Sequence, residues 1–410
     1  MGATIQTTTP CDARVNLSDA DDQTISQWMY SDIRIQISII SRSIILMVGV
    51  VGNGAFFIVS ARTRSMHTLV NLYLVHLAVA DMLVLLQHAA VPIVEYSVLQ
   101  IQSDGHLFGA SGCMASMFFS YLGYFTSITL VCLMSTERYL AVCHPLKHHS
   151  INTKGRASKL IACAWALGVL LSACAIPTSA IFTKTCIEWP DEEKFTTYPT
   201  YAGRCVPTVG WASYVFDVIQ AVPFFSALVC NAVFFTKIIR NLRGRHEIDQ
   251  GRGSLHGRRV AHITYQVTKM LVVNGVVFFI CHAPFQFLSL CTLVSTLTNL
   301  PLFTDPVAQT IITTAFRLLV YANSAVNPLV YNATNSRYRR AFVQVFACSS
   351  RARRQAAQST VAGLALATNT ANGRSVQHRL DVIGRQTSNG SILNGALASR
   401  DSQHSLITKL

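Results

Sequence analysis

The chain has 410 residues, 51% of them hydrophobic and only 13% charged, where a soluble domain carries about a quarter charged. Its apolar residues form blocks of about 20, which match a bilayer core about 30 Å thick and exceed the core helices of most soluble proteins. The formal net charge of +14 invites a nucleic-acid reading, but the basic residues lie in short connections between apolar blocks, which excludes it.

In chain order, Met1–Gln36 is polar, with no apolar run ahead of a small-residue cleavage site, so the first apolar block is expected to act as its own insertion signal. Asn16-Leu17-Ser18 is an N-glycosylation acceptor in this segment. Seven apolar spans follow, at roughly 37–61, 70–96, 110–143, 158–182, 209–240, 262–296 and 307–331. Basic residues (Arg62, Arg64, Lys147, Lys154, Arg156, Arg240, Arg243, Arg258, Arg337) gather on alternate connections. Acids (Asp12, Asp19, Asp104, Glu188, Asp191, Asp305) gather on the others. This alternation places the N-terminus outside and the C-terminus inside, and so requires an odd number of spans. Two further acceptor matches, at Asn332 and Asn389, fall on the inner side and are chance.

Residues 335–348 carry Tyr338, Phe342 and Phe346 at helical spacing beside Arg337, Arg339 and Arg340. That pattern predicts an amphipathic helix on the inner membrane face, with basic residues against anionic lipid. Cys348 follows as a candidate palmitoylation site. Residues 349–410 are rich in Ser, Thr, Asn, Ala and Gly, which predicts a disordered cytoplasmic tail. The organisation is thus an extracellular tail (1–36), a helical bundle (37–334), a surface helix (335–348) and the tail (349–410). The fold class is an all-α membrane protein.

Ionisable and amide groups are costly in hydrocarbon, so each one inside a span needs a reason. Span 1 holds Asn53 and span 2 Asp81. Span 3 ends in Glu137-Arg138-Tyr139, and span 4 holds Trp165. Span 5 holds Pro223, and span 6 has Cys281-His282-Ala283-Pro284. Span 7 has Asn327-Pro328-Leu329-Val330-Tyr331. Asp81 needs donors, a cation or a proton. Each internal proline removes a backbone hydrogen bond and can hinge its helix.

This ordered set, over residues 37–348, resembles the rhodopsin-like G-protein-coupled receptors. The resemblance implies a seven-helix bundle in the plasma membrane that shifts between two states on ligand binding. It implies a polar core of Asp81, Asn53, Ser127, Asn323, Ser324 and Asn327, around either a sodium ion or a neutral Asp81. Arg138 is implied to pair with Glu137 at rest and to face a G protein when freed, with Tyr139, His282, Pro284, Pro328 and Tyr331 completing the switch. A Cys113–Cys205 disulfide is also implied, leaving Cys186 to pair with Cys11 or Cys291. Further partners are arrestin and receptor kinases at tail Ser and Thr residues, and a PDZ domain at Thr408-Lys409-Leu410.

Small-ligand classes can be tested by position. Ser120 stands where amine receptors carry an Asp, and Tyr321 stands where opsins carry a Schiff-base Lys. Candidate ligand contacts are Arg317, Tyr121, Gln87, Tyr124, Phe285, Gln286 and Tyr321. A buried Arg317 calls for an anionic or carbonyl-rich partner, or an internal pair with Glu95 or Asp305. Glu137 through Lys147 is similar to the thyrotropin-releasing-hormone, ghrelin and neuromedin receptors. Gln266 through Leu271, Tyr121 and Arg317 resemble the first of these most. That likeness implies a short, amidated peptide ligand and calcium-mobilising coupling, although Phe285 stands where that family has Tyr. His282, Asn231 and His106 depart from the superfamily pattern. His282 could make activation pH-sensitive, and Asn231 bears on coupling strength, so a weakly coupling scaffold or decoy is the alternative. Paired charges and inverted repeats of a transporter are absent from the sequence, as are hydrolase, phosphate-loop and zinc constellations, so no enzyme activity is expected.

Overall fold

The computed structural model describes residues 11–30, 32–102, 109–249, 255–300, 302–303 and 305–347. His106, Cys348, the 349–410 tail and Thr408–Leu410 lie outside these residues. The helices are α1 (Asp22–Ser26), α2 (Ile33–Arg62), α3 (Leu69–Leu85), α4 (Val91–Val98), α5 (Gly109–Cys143) and α6 (Pro145–Ile151). After them come α7 (Lys154–Ala173), α8 (Ala212–Asp249), α9 (Leu255–Thr298) and α10 (Pro306–Thr334). Three strands complete the described elements: β1 (Ala13–Asn16), β2 (Ile181–Glu188) and β3 (Tyr201–Val206).

Six segments among the described residues are long and apolar enough to cross a bilayer, with α3 and α4 joined in one of them. The seventh expected span is α10, whose 29 residues reach about 44 Å at 1.5 Å per residue. It is less apolar because Arg317, Asn323, Ser324 and Asn327 interrupt it, and the last three of these are buried in the bundle. Long α5 is the hub and packs against α3, α7, α8 and α9, while α10 packs against α9 and α3. Close approach of α3 to α5 depends on Gly123, where a Cβ would lie 2.7 Å from Val84 and 2.9 Å from the Ala80 carbonyl. The indole of Trp165 on α7 donates to His76 on α3 at 3.2 Å.

Three features differ from the sequence expectation. First, α8 and α9 extend well beyond their apolar cores, so most of the loop expected at 241–261 is helix. The Leu, Arg, Glu and Ile residues of α8 beyond Arg240 are adequate helix formers outside a membrane. Second, the span Leu69–Val98 is interrupted by a π turn at Leu86–Ala90. Third, the polar N-terminal segment is structured. Strand β1 lies parallel to β2 with Ala13 opposite Thr185, and β2 is antiparallel to β3 with Phe182 opposite Cys205. A small apolar core of Leu17, Ile101, Ile187 and Ala202, flanked by Trp28 and Trp189, lies against this sheet. Asp21 caps α1 by accepting from the Thr24 amide at 3.3 Å, and the Thr24 hydrogen bonds hold its carboxyl below the usual range.

The described chain divides into two units, Met1–Phe57 with Leu69–Ser336, and Ile58–Thr68 with Arg337–Leu410. In the second unit the helix α11 (336–347) follows α10. Its Arg337 donates to the Ser65 carbonyl, and Phe342 and Phe346 lie 6.2 Å apart along one face. This helix falls within the segment expected at 335–348, of which residue 348 lies outside the described residues.

Candidate functional site

The bundle offers three places for chemistry, from its outer end inward. The outermost is closed above by two disulfides. Cys113, at the start of α5, is bonded to Cys205 on β3, and Cys11 is bonded to Cys186 on β2. Cys291 is a free, exposed thiol, which resolves the alternative for Cys186. Exposed Asn16 on β1 has its side chain turned to the Ser18 amide at 2.8 Å.

Below this cap lies the outer pocket. Tyr121 packs edge-on against Phe216 at 4.5 Å and lies 6.5 Å from Tyr124. Gln286 donates to the Tyr124 hydroxyl at 3.0 Å and accepts from Gln220 at 3.1 Å. The Arg317 guanidinium lies over the Phe285 ring at 5.7 Å and within electrostatic reach of Tyr121 and Tyr321. Gln87 stands apart and donates to Ser116 at 2.6 Å. Six of the seven candidate contacts therefore belong to one aromatic and amide-lined wall. Arg317 differs from expectation in being exposed rather than buried. No ion pair joins it to Glu95 or Asp305 among the described residues.

Two residues of this region escaped the sequence reading. His88 stacks on Tyr321 at 4.8 Å and 10°. Arg42 of α2 donates to the His88 carbonyl at 2.9 Å and lies 5.6 Å from the Tyr321 ring. The signal was present, since both are ionisable groups inside apolar spans.

A cavity of about 310 Å³ continues downward from His88, Ser120, Tyr124 and His282 to Asp81, Ser127, Asn323 and Ser324. His282 stacks on Phe278 at 4.1 Å, and its Nδ1 is 2.9 Å from the Phe278 carbonyl, so that nitrogen carries the donated proton. Asp81 accepts from Asn327 at 2.6 Å through one oxygen. Asn53 donates to the carbonyls of Gly49 and Ser324, both at 3.0 Å. The structure thus brings all six polar-core residues together. Buried oxygens of Asp81, Asn53, Ser127, Asn323 and Asn327 have no hydrogen-bond partner. A surplus of acceptors around one carboxylate fits a hard cation such as sodium.

At the inner end a smaller cavity of about 240 Å³ is lined by Tyr73, Met134, Glu137, Arg138, Asn152 and Leu271. The Glu137 carboxylate is held by Arg156 of α7 at 2.8 Å and by His148 of α6 at 3.5 Å, with Arg138 within electrostatic reach. Tyr139 stacks on Phe234 at 5.1 Å. Tyr331 is fully buried and packs edge-on to Phe56 at 5.5 Å. Pro284 and Pro328 lie inside α9 and α10 as expected. Buried Asn231 donates to the Ala227 carbonyl at 2.8 Å and to Cys132 at 3.3 Å.

A helical bundle with an outer disulfide-bound cap, a polar core and an arginine at the inner end is a membrane receptor. Residues 52–331 match the model of the 7 transmembrane receptor (rhodopsin family), a match that runs through α10, and the chain belongs to that family. A neuromedin-U receptor 2 of Rattus norvegicus is 30% identical, over 77% of this chain and 76% of that protein. A thyrotropin-releasing hormone receptor of Mus musculus is 27% identical, over 78% and 81%. A neuromedin U receptor homolog of Caenorhabditis elegans is 28% identical, over 73% and 76%. The protein is therefore a multi-pass plasma-membrane receptor of the G-protein-coupled, neuropeptide type and not an enzyme.

Proposed function

We propose that the receptor is switched by a short, amidated peptide and couples to calcium release. The observation that carries this reading is the wall of Arg317, Phe285, Tyr121, Tyr124 and Gln286, which offers aromatic faces, amides and one free guanidinium to a peptide end group. Relatives named for neuromedin U and thyrotropin-releasing hormone favour a peptide, and their near-equal identities favour no particular one. Calcium release in cells expressing the full chain, screened with amidated neuropeptides, tests it. Some member of the panel activates the wild type. In Arg317→Gln its potency falls roughly 10- to 100-fold, the value of one or two charge-assisted hydrogen bonds, with surface expression unchanged. Unaltered potency removes this site assignment.

A sodium ion at Asp81 belongs to the same reading, with Asn53, Ser127, Asn323, Ser324 and Asn327 around it. The five unpartnered oxygens support it. The ion would supply positive charge there, and the chain's own groups would hold it by their oxygens. The inner cavity at Arg138 is the proposed G-protein contact, released when Glu137 and its partners rearrange. Arrestin and receptor kinases at the tail, a PDZ domain at Thr408–Leu410, acylation of Cys348, glycosylation of Asn16 and anionic lipid under α11 complete the proposed partners and modifications. A weakly coupling decoy remains the alternative, and Asn231 favours it, because its donor is already engaged within α8 and by Cys132.

A further inference from the structure

Arg42 lies nine residues into α2, about 14 Å along the helix by its rise, and is half-buried. A cation at that depth is costly unless its donors are met. Two of them are. Its Nε donates to Ser38 at 3.2 Å, and one terminal nitrogen donates to the His88 carbonyl at 2.9 Å. That carbonyl is available for a local reason. It sits in the π turn, and Pro92, four residues on, has no N–H to give it. The other terminal nitrogen of Arg42 has no partner among the described residues, and no carboxylate pairs with Arg42 or with Arg317 there.

Both guanidiniums act electrostatically on the same two rings, the stacked His88 and Tyr321. Arg42 lies 5.6 Å from the Tyr321 ring, and Arg317 is one helical turn before Tyr321 on α10. The pocket end between α2, α3 and α10 thus holds two positive charges, spare N–H donors and an aromatic floor, with no carboxylate in ion-pair range of either guanidinium among the described residues. Guanidiniums in this arrangement select planar, doubly accepting anions.

We infer that the α2–α3–α10 end of the pocket is a carboxylate-binding subsite, with Arg42 as a second specificity-determining cation beside Arg317. The ligand group is an acidic side chain of the peptide, whose amidated end carries no carboxylate of its own. This deepens the peptide reading above and rests on it for the nature of the whole ligand, but the subsite is testable without a known agonist.

The direct test is thermal unfolding of the purified full chain with millimolar N-acetylglutamate amide or its neutral isostere N-acetylglutamine amide. A group that binds the folded state raises the midpoint by mass action. The acidic probe raises the wild-type midpoint, the neutral one does not, and the rise is lost in Arg42→Gln and Arg317→Gln. Gln at 42 removes the charge and the guanidinium fork while keeping a polar side chain. Arg42→Lys, which keeps the charge without the fork, retains part of the rise and shows that the site itself still folds. Equal response to both probes overturns the inference, as does a rise undiminished in both Gln variants. Once an agonist is in hand, exchanging its acidic group for the amide costs wild type about tenfold in potency and costs Arg42→Gln little. A midpoint rise together with silence toward every peptide would sink the peptide reading and leave the carboxylate subsite standing.

Discussion

The outer pocket and the polar core carry opposite polar surpluses, and the cavity that reaches from His88 to Asp81 lies between them. Around Asp81 the buried oxygens outnumber the donors that reach them. Around His88 and Tyr321 two guanidiniums have donors to spare. A buried polar group without a partner is costly, and that cost falls on the oxygens around Asp81 and on half-buried Arg42 rather than on exposed Arg317. On the reading proposed above, the lower end takes a small cation and the upper end an acidic or carbonyl-rich ligand group. Between them stand Tyr124, Ser120 and His282, whose protonated nitrogen is already given to a backbone carbonyl.

Several changes break or sharpen that contrast. The largest effect is expected of Arg138→Ala, which removes the cation of the inner cavity. Nucleotide exchange on the G protein should fall to the level of untransfected membranes, and normal exchange would relocate the G-protein contact. Next comes Cys11→Ser, which frees β1 from β2. A disulfide of this kind stabilises by about 2–4 kcal/mol, so the unfolding midpoint of the purified receptor should drop by several degrees. An unmoved midpoint would show that the β1–β2 register and the Leu17 cluster hold the cap unaided.

Glu137→Gln weakens the ties to Arg156 and His148. Basal exchange should rise about fivefold, corresponding to about 1 kcal/mol of lost resting-state preference, and a fall in basal exchange would reverse the role given to this pair. A smaller effect is expected at the polar core. Replacing sodium by a bulky organic cation should alter wild-type basal exchange about threefold, since a ligand can shift a two-state equilibrium only by its differential affinity. Asp81→Asn should be indifferent to the exchange of cations, and an equal response from both would leave the polar core without its ion. The smallest effect concerns His282. Buried, stacked on Phe278 and hydrogen-bonded to its carbonyl, it should leave basal activity flat between about pH 6 and pH 8. A sigmoidal change in that range, lost in His282→Phe, would restore the pH-sensitive switch.

The lower half of the molecule was more legible in the sequence than the upper half. Asp81, Asn53, Asn323 and Asn327 announce themselves because an amide or carboxylate in hydrocarbon has few structural excuses, and the structure gathers them. Apolar period and charge alternation likewise set the spans, with α10 recognisable despite its polar face. The cap was not legible. Strands β1 and β2 are separated by more than 160 residues, and nothing local in Ala13–Asn16 forecasts a parallel partner. The Cys11–Cys186 bond was one of two open alternatives because spacing alone does not fix connectivity. The fold also gives Glu137 two partners that the sequence pattern did not name, Arg156 and His148. Arg42 and His88 were visible as ionisable residues in apolar spans, yet their meaning depends on the π turn and Pro92, a backbone irregularity with no sequence periodicity of its own.

The most direct test of the account is reconstitution of the full chain with purified G protein, followed by nucleotide exchange with and without the peptides that release calcium in cells. The account predicts that at least one peptide accelerates exchange on the wild type, and that Arg317→Gln at the outer pocket and Arg138→Ala at the inner cavity each remove the acceleration. A peptide that binds the wild type tightly and leaves exchange unchanged would contradict it, and would make this chain a decoy with a receptor's pocket.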